Sequence, residues 1–340
     1  MTHDSTSIEY EYWMDKARRH SMRTESDEPT IAELELEFQE AMCLPSDTEP
    51  RLDSALRHVL RHPGSLVRPR VVYQMARAYG IENRAAMDLG IALEYFHTAS
   101  LIFDDMPAMD NASSRRGAPC VHVKYGESSA MLAALALINR AYALTWRAIS
   151  QCPHAAQAHA MRYLEDRLGV NGLLNGQSLD LHYSELPHDR ETTERVACGK
   201  TVSLIRLTLV LPAMLGGASA RELQLFERMA TCWGLAYQMV DDLKDVMQSS
   251  VASGKTAARD LHLDRPNIAL AIGVPDALAR LTRLIDVGDR TLDGLMARRP
   301  SLKFLRRLRT DLQHELRRVT SQRITPQPTA TQRECTAAAS

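Results

Sequence analysis

An excess of charge of either sign is missing from this sequence: 41 Lys and Arg nearly balance 42 Asp and Glu, for a net charge of −1. That balance gives no electrostatic case for nucleic acid or for an anionic membrane surface. Paired cysteines are missing too. Cys43, Cys120, Cys152, Cys198, Cys232 and Cys335 are scattered and form no CxxC, which reads as reduced, mostly core thiols of a cytoplasmic protein. The N-terminal stretch MTHDSTSIEYEYWMDKARRH is polar, carries acid and lacks the apolar core of a signal peptide. The longest apolar run, 207–218, is broken by Pro212, Gly216 and Gly217 and is too short to cross a bilayer. No integral membrane span is therefore expected, although a membrane-borne substrate stays open. An alternating strand pattern of useful length and an internal repeat are also lacking, which excludes β-sandwiches and solenoids.

What is present is apolar residue at helical spacing. Hydrophobic residues make up 45% and charged residues 24% of the chain, enough for a large core. Length alone, 340 residues, suggests about two domains, but the pattern argues for one all-α bundle. Residues 1–30 read as a flexible polar N-terminus, 31–320 as the bundle, and 321–340, rich in Thr, Gln, Pro and Ala, as a disordered tail. Thr30 is placed to cap a first helix carrying Ile31, Leu34, Leu36, Phe38 and Met42. A second helix spans 54–62 and stops at Pro63-Gly64, and a third starts near Arg68-Pro69 and ends at Gly80. The strongest early pattern is 83–102. The stretch 128–149 is apolar almost all round, as a central buried helix should be. Further helical patterns cover 159–174, 191–197, 202–215, 222–246, 275–295 and 302–323.

Chemistry concentrates in two acidic clusters. The first is HTASLIFDDMPAMDNASSRR, with Asp104, Asp105 and Asp110 followed by Arg115 and Arg116. Carboxylates this close repel one another and are costly to bury without cations. Oxygen-only ligands point to a hard ion such as Mg²⁺, and an arginine pair suits an anion. Together they make a site for a diphosphate. Alone, the pattern reads equally as a solvated acidic helix end, though acid at a helix C-terminus opposes the helix dipole and leans toward function. The second cluster, YQMVDDLKD, holds Gln238, Asp241, Asp242 and Asp245. Asp241 and Asp245 are four apart and share a helix face, while Lys244 points elsewhere. Two such clusters on separate apolar helices make the solvated-face account weak. Lys200 begins the apolar run TVSLIRLTLVL, and Lys255 lies in SGKTAARD. Each alone is ordinarily a surface lysine, and Gly254-Lys255-Thr256 lacks the spacing of a phosphate-binding P-loop. His97 serves equally as a core histidine or as a diphosphate donor.

From about residue 63 to 273 the chain resembles the trans-isoprenyl diphosphate synthases, most closely the short-chain type that makes farnesyl and geranylgeranyl diphosphate. DDMPAMD resembles the family's first aspartate-rich motif and DDLKD the second. HTASLIFDD, RRGAPCVH, NGQSLDL, GKTVSL, GLAYQMVDD and GKTAARDL fall around them in the family's order. The resemblance implies an isoprenoid-synthase helical bundle, homodimeric, joining isopentenyl diphosphate to an allylic diphosphate. It implies about three Mg²⁺ ions per site. Asp104, Asp110 and Asp241 would hold them, with Asp105 and Asp245 as further ligands or as groups orienting the ligands. Arg115, Lys200 and Lys255 would complete the cradle for the allylic diphosphate. Thr201 and Gln238 would face the allylic cation with oxygen dipoles, and Arg68, His97 and Arg116 would hold isopentenyl diphosphate.

Two departures stand out. Ser65 occupies the place of the family's isopentenyl-diphosphate lysine, a loss of ~1.5–3 kcal/mol of binding. It opens two alternatives: a synthase-like terpene cyclase, or a weakly active partner subunit. Phe103 stands where His is common. Ala99, five before Asp104, and Ser100 beside it leave the floor of the product pocket missing. Phe96 lies one turn further down, ~5.4 Å, which implies a C20 product.

Overall fold

The computed structural model describes residues 28–251 and 265–321, with side chains over 28–246 and 265–318. Residues 1–27 of the expected flexible N-terminus, the expected disordered tail from 322 onward, and Lys255 lie outside the described residues.

The described chain is a helical bundle: α1 (Ile31–Glu40), α2 (Pro50–Leu60), α3 (Val67–Ala78), α4 (Asn83–Asp104), α5 (Val121–Tyr125), α6 (Glu127–Ser150), α7 (His154–Leu168), α8 (Leu173–Leu181), α9 (Arg190–Ala197), α10 (Ser203–Leu215), α11 (Ala220–Val251), α12 (Ile268–Ile272), α13 (Val274–Arg298) and α14 (Leu305–Ser321). Its only described strands are β1 (Ser114–Arg115) and β2 (Ala118–Pro119), a minimal hairpin.

Local chemistry sets several helix starts. Thr30 and Glu33 form a reciprocal capping box on α1. The second helix begins at Pro50 rather than Ser54, because the Glu49 carboxylate accepts from Leu52 N–H (2.8 Å) and Pro50 fills the first helical position. The pattern read over 159–174 divides in two, since α7 ends at Leu168 and α8 starts at Leu173.

The central helix is α4, not 128–149. Twelve consecutive residues, Ala85 through Phe96, are buried on all sides, and α4 packs most extensively on α6 and α3. Helix α6 buries Ala130, Ala133, Ala134, Leu137, Ala141 and Leu144 against it. The other face of α6 leaves Met131, Leu132, Leu135, Tyr142 and Trp146 42–58% exposed. Its all-round apolarity thus marks one face on the core and one face that nothing in the described chain covers. The run Arg190–Leu215 is long and apolar enough to cross a membrane, yet most of it is buried within the bundle as a core helix.

Candidate functional site

The last turn of α4 carries the first acidic cluster. The following loop folds back through Asp110 N–H to Asp104 C=O (2.9 Å) and Ala112 N–H to Asp105 C=O (3.1 Å). Asp104 and Asp110 are thereby brought together, and the hairpin returns Arg115 to Asp105. Burial pushes the Asp104 carboxyl up to about 6, a rise that Lys200 opposes and that Asp110 and Asp180 reinforce. Asp105 is placed differently from its neighbours. It is buried, and both its oxygens accept from Arg115 (Nη2 at 2.6 Å, Nε at 3.0 and 3.3 Å). Its visible part is to aim the guanidinium.

Lys200 does not begin a helix, as the apolar run suggested. It lies in a widened π turn, Cys198–Val202, between α9 and α10. Such turns often mark functional positions. The reason is a backbone crossing. A Cβ on Gly176 of α8 would sit 2.2 Å from Lys200 N, and one on Gly199 would sit 2.6 Å from Gly176 Cα. Only two glycines permit this approach. It sets Lys200 Nζ 2.7 Å from Asp180 and 4.0 Å from Asp104. Arg265 completes the cluster, 3.0 Å from Asp110 and 3.5 Å from Asp180. Asp180 and Arg265 are site residues that the sequence reading missed. Asp180 had a signal, its place in NGQSLDL; Arg265 had none.

Helix α11 supplies the opposite wall. Gln238 Oε1 accepts from Thr201 Oγ (2.8 Å), and Gln238 Nε2 donates to Asp242 Oδ1 (2.9 Å). Asp241 is the more exposed of its pair and Asp242 is buried. Lys244 does approach Asp241, at 3.9 Å, while its main partner is Glu315 at 2.6 Å. Asp245 is half-buried. A cavity of about 270 Å³ lies between the two walls, bordered by Asp110, Arg115, Asp180, Lys200 and Arg265 and by Thr201, Gln238 and Asp242.

A second group of cations gathers lower on α4. Glu94, buried, accepts from Arg68 (3.0 Å) and Arg116 (3.3 Å) and so gathers residues from α3 and the hairpin. Burial raises the Glu94 carboxyl, against the pull of those two guanidiniums. His97 lies one turn above. Burial, then the charges of Arg68, Arg116 and Arg115, pushes it down to about 2, which favours the neutral imidazole. Arg116 also donates to His62 C=O (3.1 Å), and its guanidinium lies against Gly64, where a Cβ would sit 2.7 Å away. Ser65 is exposed beside this group.

The cavity does not border Ala99, Ser100 or Phe96, the residues expected to set product length. Ala99 is fully buried, Ser100 Oγ donates to His97 C=O (2.9 Å), and the Phe96 ring stands edge-to-face on Tyr142 of α6 at 4.9 Å.

Among the described residues no three His, Cys, Asp or Glu side chains converge closely enough to hold an ion. Lys200 and Arg265 instead supply positive charge to Asp104, Asp110 and Asp180. The donors are oxygen only, and an acidic group that already requires cations fits a hard divalent ion.

The polyprenyl synthetase family profile matches residues 49–286. Geranylgeranyl pyrophosphate synthase, chloroplastic, of Capsicum annuum is 33% identical over 249 residues, 73% of this chain and 68% of that protein. Geranylgeranyl pyrophosphate synthase 10, mitochondrial, of Arabidopsis thaliana is 34% identical over 243 residues, 70% of each. The solved FPP/GFPP synthase of Zymomonas mobilis superposes with a TM-score of 0.67 at 25% identity, over 88% of this chain and 97% of that one. Helicobacter pylori geranyltransferase, solved with magnesium and isoprenyl diphosphate, superposes with a TM-score of 0.70 at 23% identity, over 92% and 100%.

Proposed function

Because this chain belongs to the polyprenyl synthetase family, we propose that it elongates prenyl chains, condensing isopentenyl diphosphate with farnesyl diphosphate or a shorter allylic diphosphate to give geranylgeranyl diphosphate. The observation that carries this reading is the pair of cation groups along α4. Arg115 and Lys200 border one cavity beside Asp104 and Asp110, and Arg68 and Arg116 pair with Glu94, one turn below His97. An enzyme that joins two diphosphates needs both. A cyclase, which ionises one, has no use for the second, and the chain keeps it despite Ser65.

Mg²⁺, about three ions held by Asp104, Asp110 and Asp241 with support from Asp245, would offset charge on the departing diphosphate. Lys200 and Arg115 hold that diphosphate while its C–O bond breaks. Thr201 and Gln238 turn oxygen dipoles on the allylic cation. Arg68, His97 and Arg116 fix isopentenyl diphosphate so that its double bond forms the new C–C bond. The proton lost afterwards passes to the released diphosphate. The uncovered apolar face of α6, Met131, Leu135, Tyr142 and Trp146, supports a homodimer. We place the enzyme in the cytoplasm, on its scattered cysteines.

The test is incubation with Mg²⁺ and farnesyl diphosphate, with and without isopentenyl diphosphate. A C20 diphosphate formed only when both are present is the expected result. A hydrocarbon or alcohol from farnesyl diphosphate alone, or no turnover, overturns it. Product length rests on Phe96, whose ring is backed by Tyr142. Ala99→Tyr should shift the product toward C15, and an unchanged product removes Phe96 as the floor.

A further inference from the structure

Each acidic cluster begins with an Asp–Asp pair, and in each the second member is buried and hydrogen-bonded to a residue bordering the cavity. Asp105 accepts from Arg115. Asp242, 3% exposed, accepts from Gln238 Nε2 at 2.9 Å through Oδ1 and from Ile268 N–H at 2.8 Å through Oδ2. Its backbone carbonyl also accepts from Asn267 Nδ2 (3.1 Å), which fixes the start of α12 against α11. The sequence reading gave Asp242 no part.

A carboxylate only accepts, whereas a glutamine amide ends in one acceptor and one donor group. With Ile268 N–H on one oxygen, the other oxygen of Asp242 has to meet an N–H. Gln238 therefore turns its NH₂ down to Asp242 and its Oε1 outward, to Thr201 Oγ at 2.8 Å and to the cavity both residues border. A neutral partner would leave the amide free to turn over. That choice decides the sign of the dipole. Oε1 toward an allylic cation attracts it, and Nε2–H in the same place repels it.

We propose that Asp242 is a positioning residue: it locks the Gln238 amide with its oxygen facing the reacting cation. The proposal rests on the prenyl-elongation reading above.

The test is steady-state condensation of farnesyl with isopentenyl diphosphate in Mg²⁺ by four variants. In Asp242→Asn the new amide keeps its oxygen for Ile268 N–H and presents NH₂ to Gln238, whose amide must reverse. The expected result is a fall in kcat on the order of 10²-fold, with KM for both diphosphates unchanged within about twofold. Gln238→Glu sets two carboxylates against each other and should fall at least as far. The exchanged pair Gln238→Glu with Asp242→Asn again sets a donor against an acceptor between the two side chains and returns an oxygen to Thr201 and the cavity. It should exceed Gln238→Glu by about tenfold or more in kcat, a comparison that holds even if Asp242→Asn alone does not fold. An unchanged kcat in Asp242→Asn, or an exchanged pair no better than Gln238→Glu, overturns the proposal. Gln238→Ala separates the two failures. If it turns over like the unaltered enzyme, the role given to Gln238 fails. If it is slowed while Asp242→Asn is not, only the positioning by Asp242 fails.

Discussion

Helix α4 buries acid near both of its ends, and the two ends are built differently. Near its start Asp88 is 0% exposed, and its oxygens are taken by Arg84 and Arg147, with Arg84 also held by Glu37 at 3.1 Å. At its C-terminal end Asp104 keeps 16% of its side chain exposed and meets its nearest cation, Lys200, only at 4.0 Å. Arg265 and Lys200 are shared there among Asp104, Asp110 and Asp180, around a cavity. Both ends combine carboxylate with cation on a buried helix. Full pairing at Asp88 fixes the packing of α4, α6 and α1 and leaves nothing for a ligand. Incomplete pairing beside a cavity leaves charge that a metal and a diphosphate can complete.

Substitution at each end should separate these roles. Asp104→Ala has the largest expected effect, about 10³-fold in kcat, or ~4 kcal/mol of barrier. Its urea midpoint should stay level or rise, because burial disfavours the Asp104 charge. A loss of less than tenfold would erase the distinction. Asp88→Ala should do the reverse. It strands Arg84 and Arg147 and should cost ~3 kcal/mol of folding stability in urea titration, with kcat per folded molecule within about twofold. A marked fall in kcat with stability intact would show that the two ends are not separate.

The sequence made the upper end legible and the lower end nearly invisible. Asp104, Asp105 and Asp110 announce themselves because three carboxylates in seven residues are costly for any fold. Asp88 stands alone in its segment, and its partners come from four residues before, from Glu37 through Arg84, and from Arg147 some sixty residues on. The all-α class followed from helical spacing of apolar residues, and it held. Which helix is central did not follow, because 128–149 is apolar on a face that the described residues leave uncovered. The π turn at Lys200 stayed hidden because it depends on Gly176 meeting Gly199, a contact between helices that no local spacing encodes. Glu94 and Asp180, and the role of Asp242 within its cluster, stay hidden for one reason: each holds another side chain, and that is visible only once the partner is in place.

Between the two ends of α4, His97 allows a smaller and more selective test. Its ordinary value of 6.5 is pushed down to about 2 by burial and by Arg68, Arg116 and Arg115. The native chain therefore excludes a proton that the unfolded chain takes up below 6.5. Neutral burial costs nothing above that pH and becomes a growing penalty as pH falls through it. By pH 5 the penalty is ~2 kcal/mol, from ~1.4 kcal/mol per pH unit over about one and a half units. His97→Gln keeps a donor and removes the titration. Between pH 7.5 and 5 its urea-derived stability should gain ~2 kcal/mol on the unaltered chain, and parallel curves would mean that His97 is not held neutral. The same measurement sharpens the contrast along the helix: an Asp88 that folding seals in full pairing and an incompletely paired Asp104 would then flank a neutral histidine set among Arg68, Arg115 and Arg116.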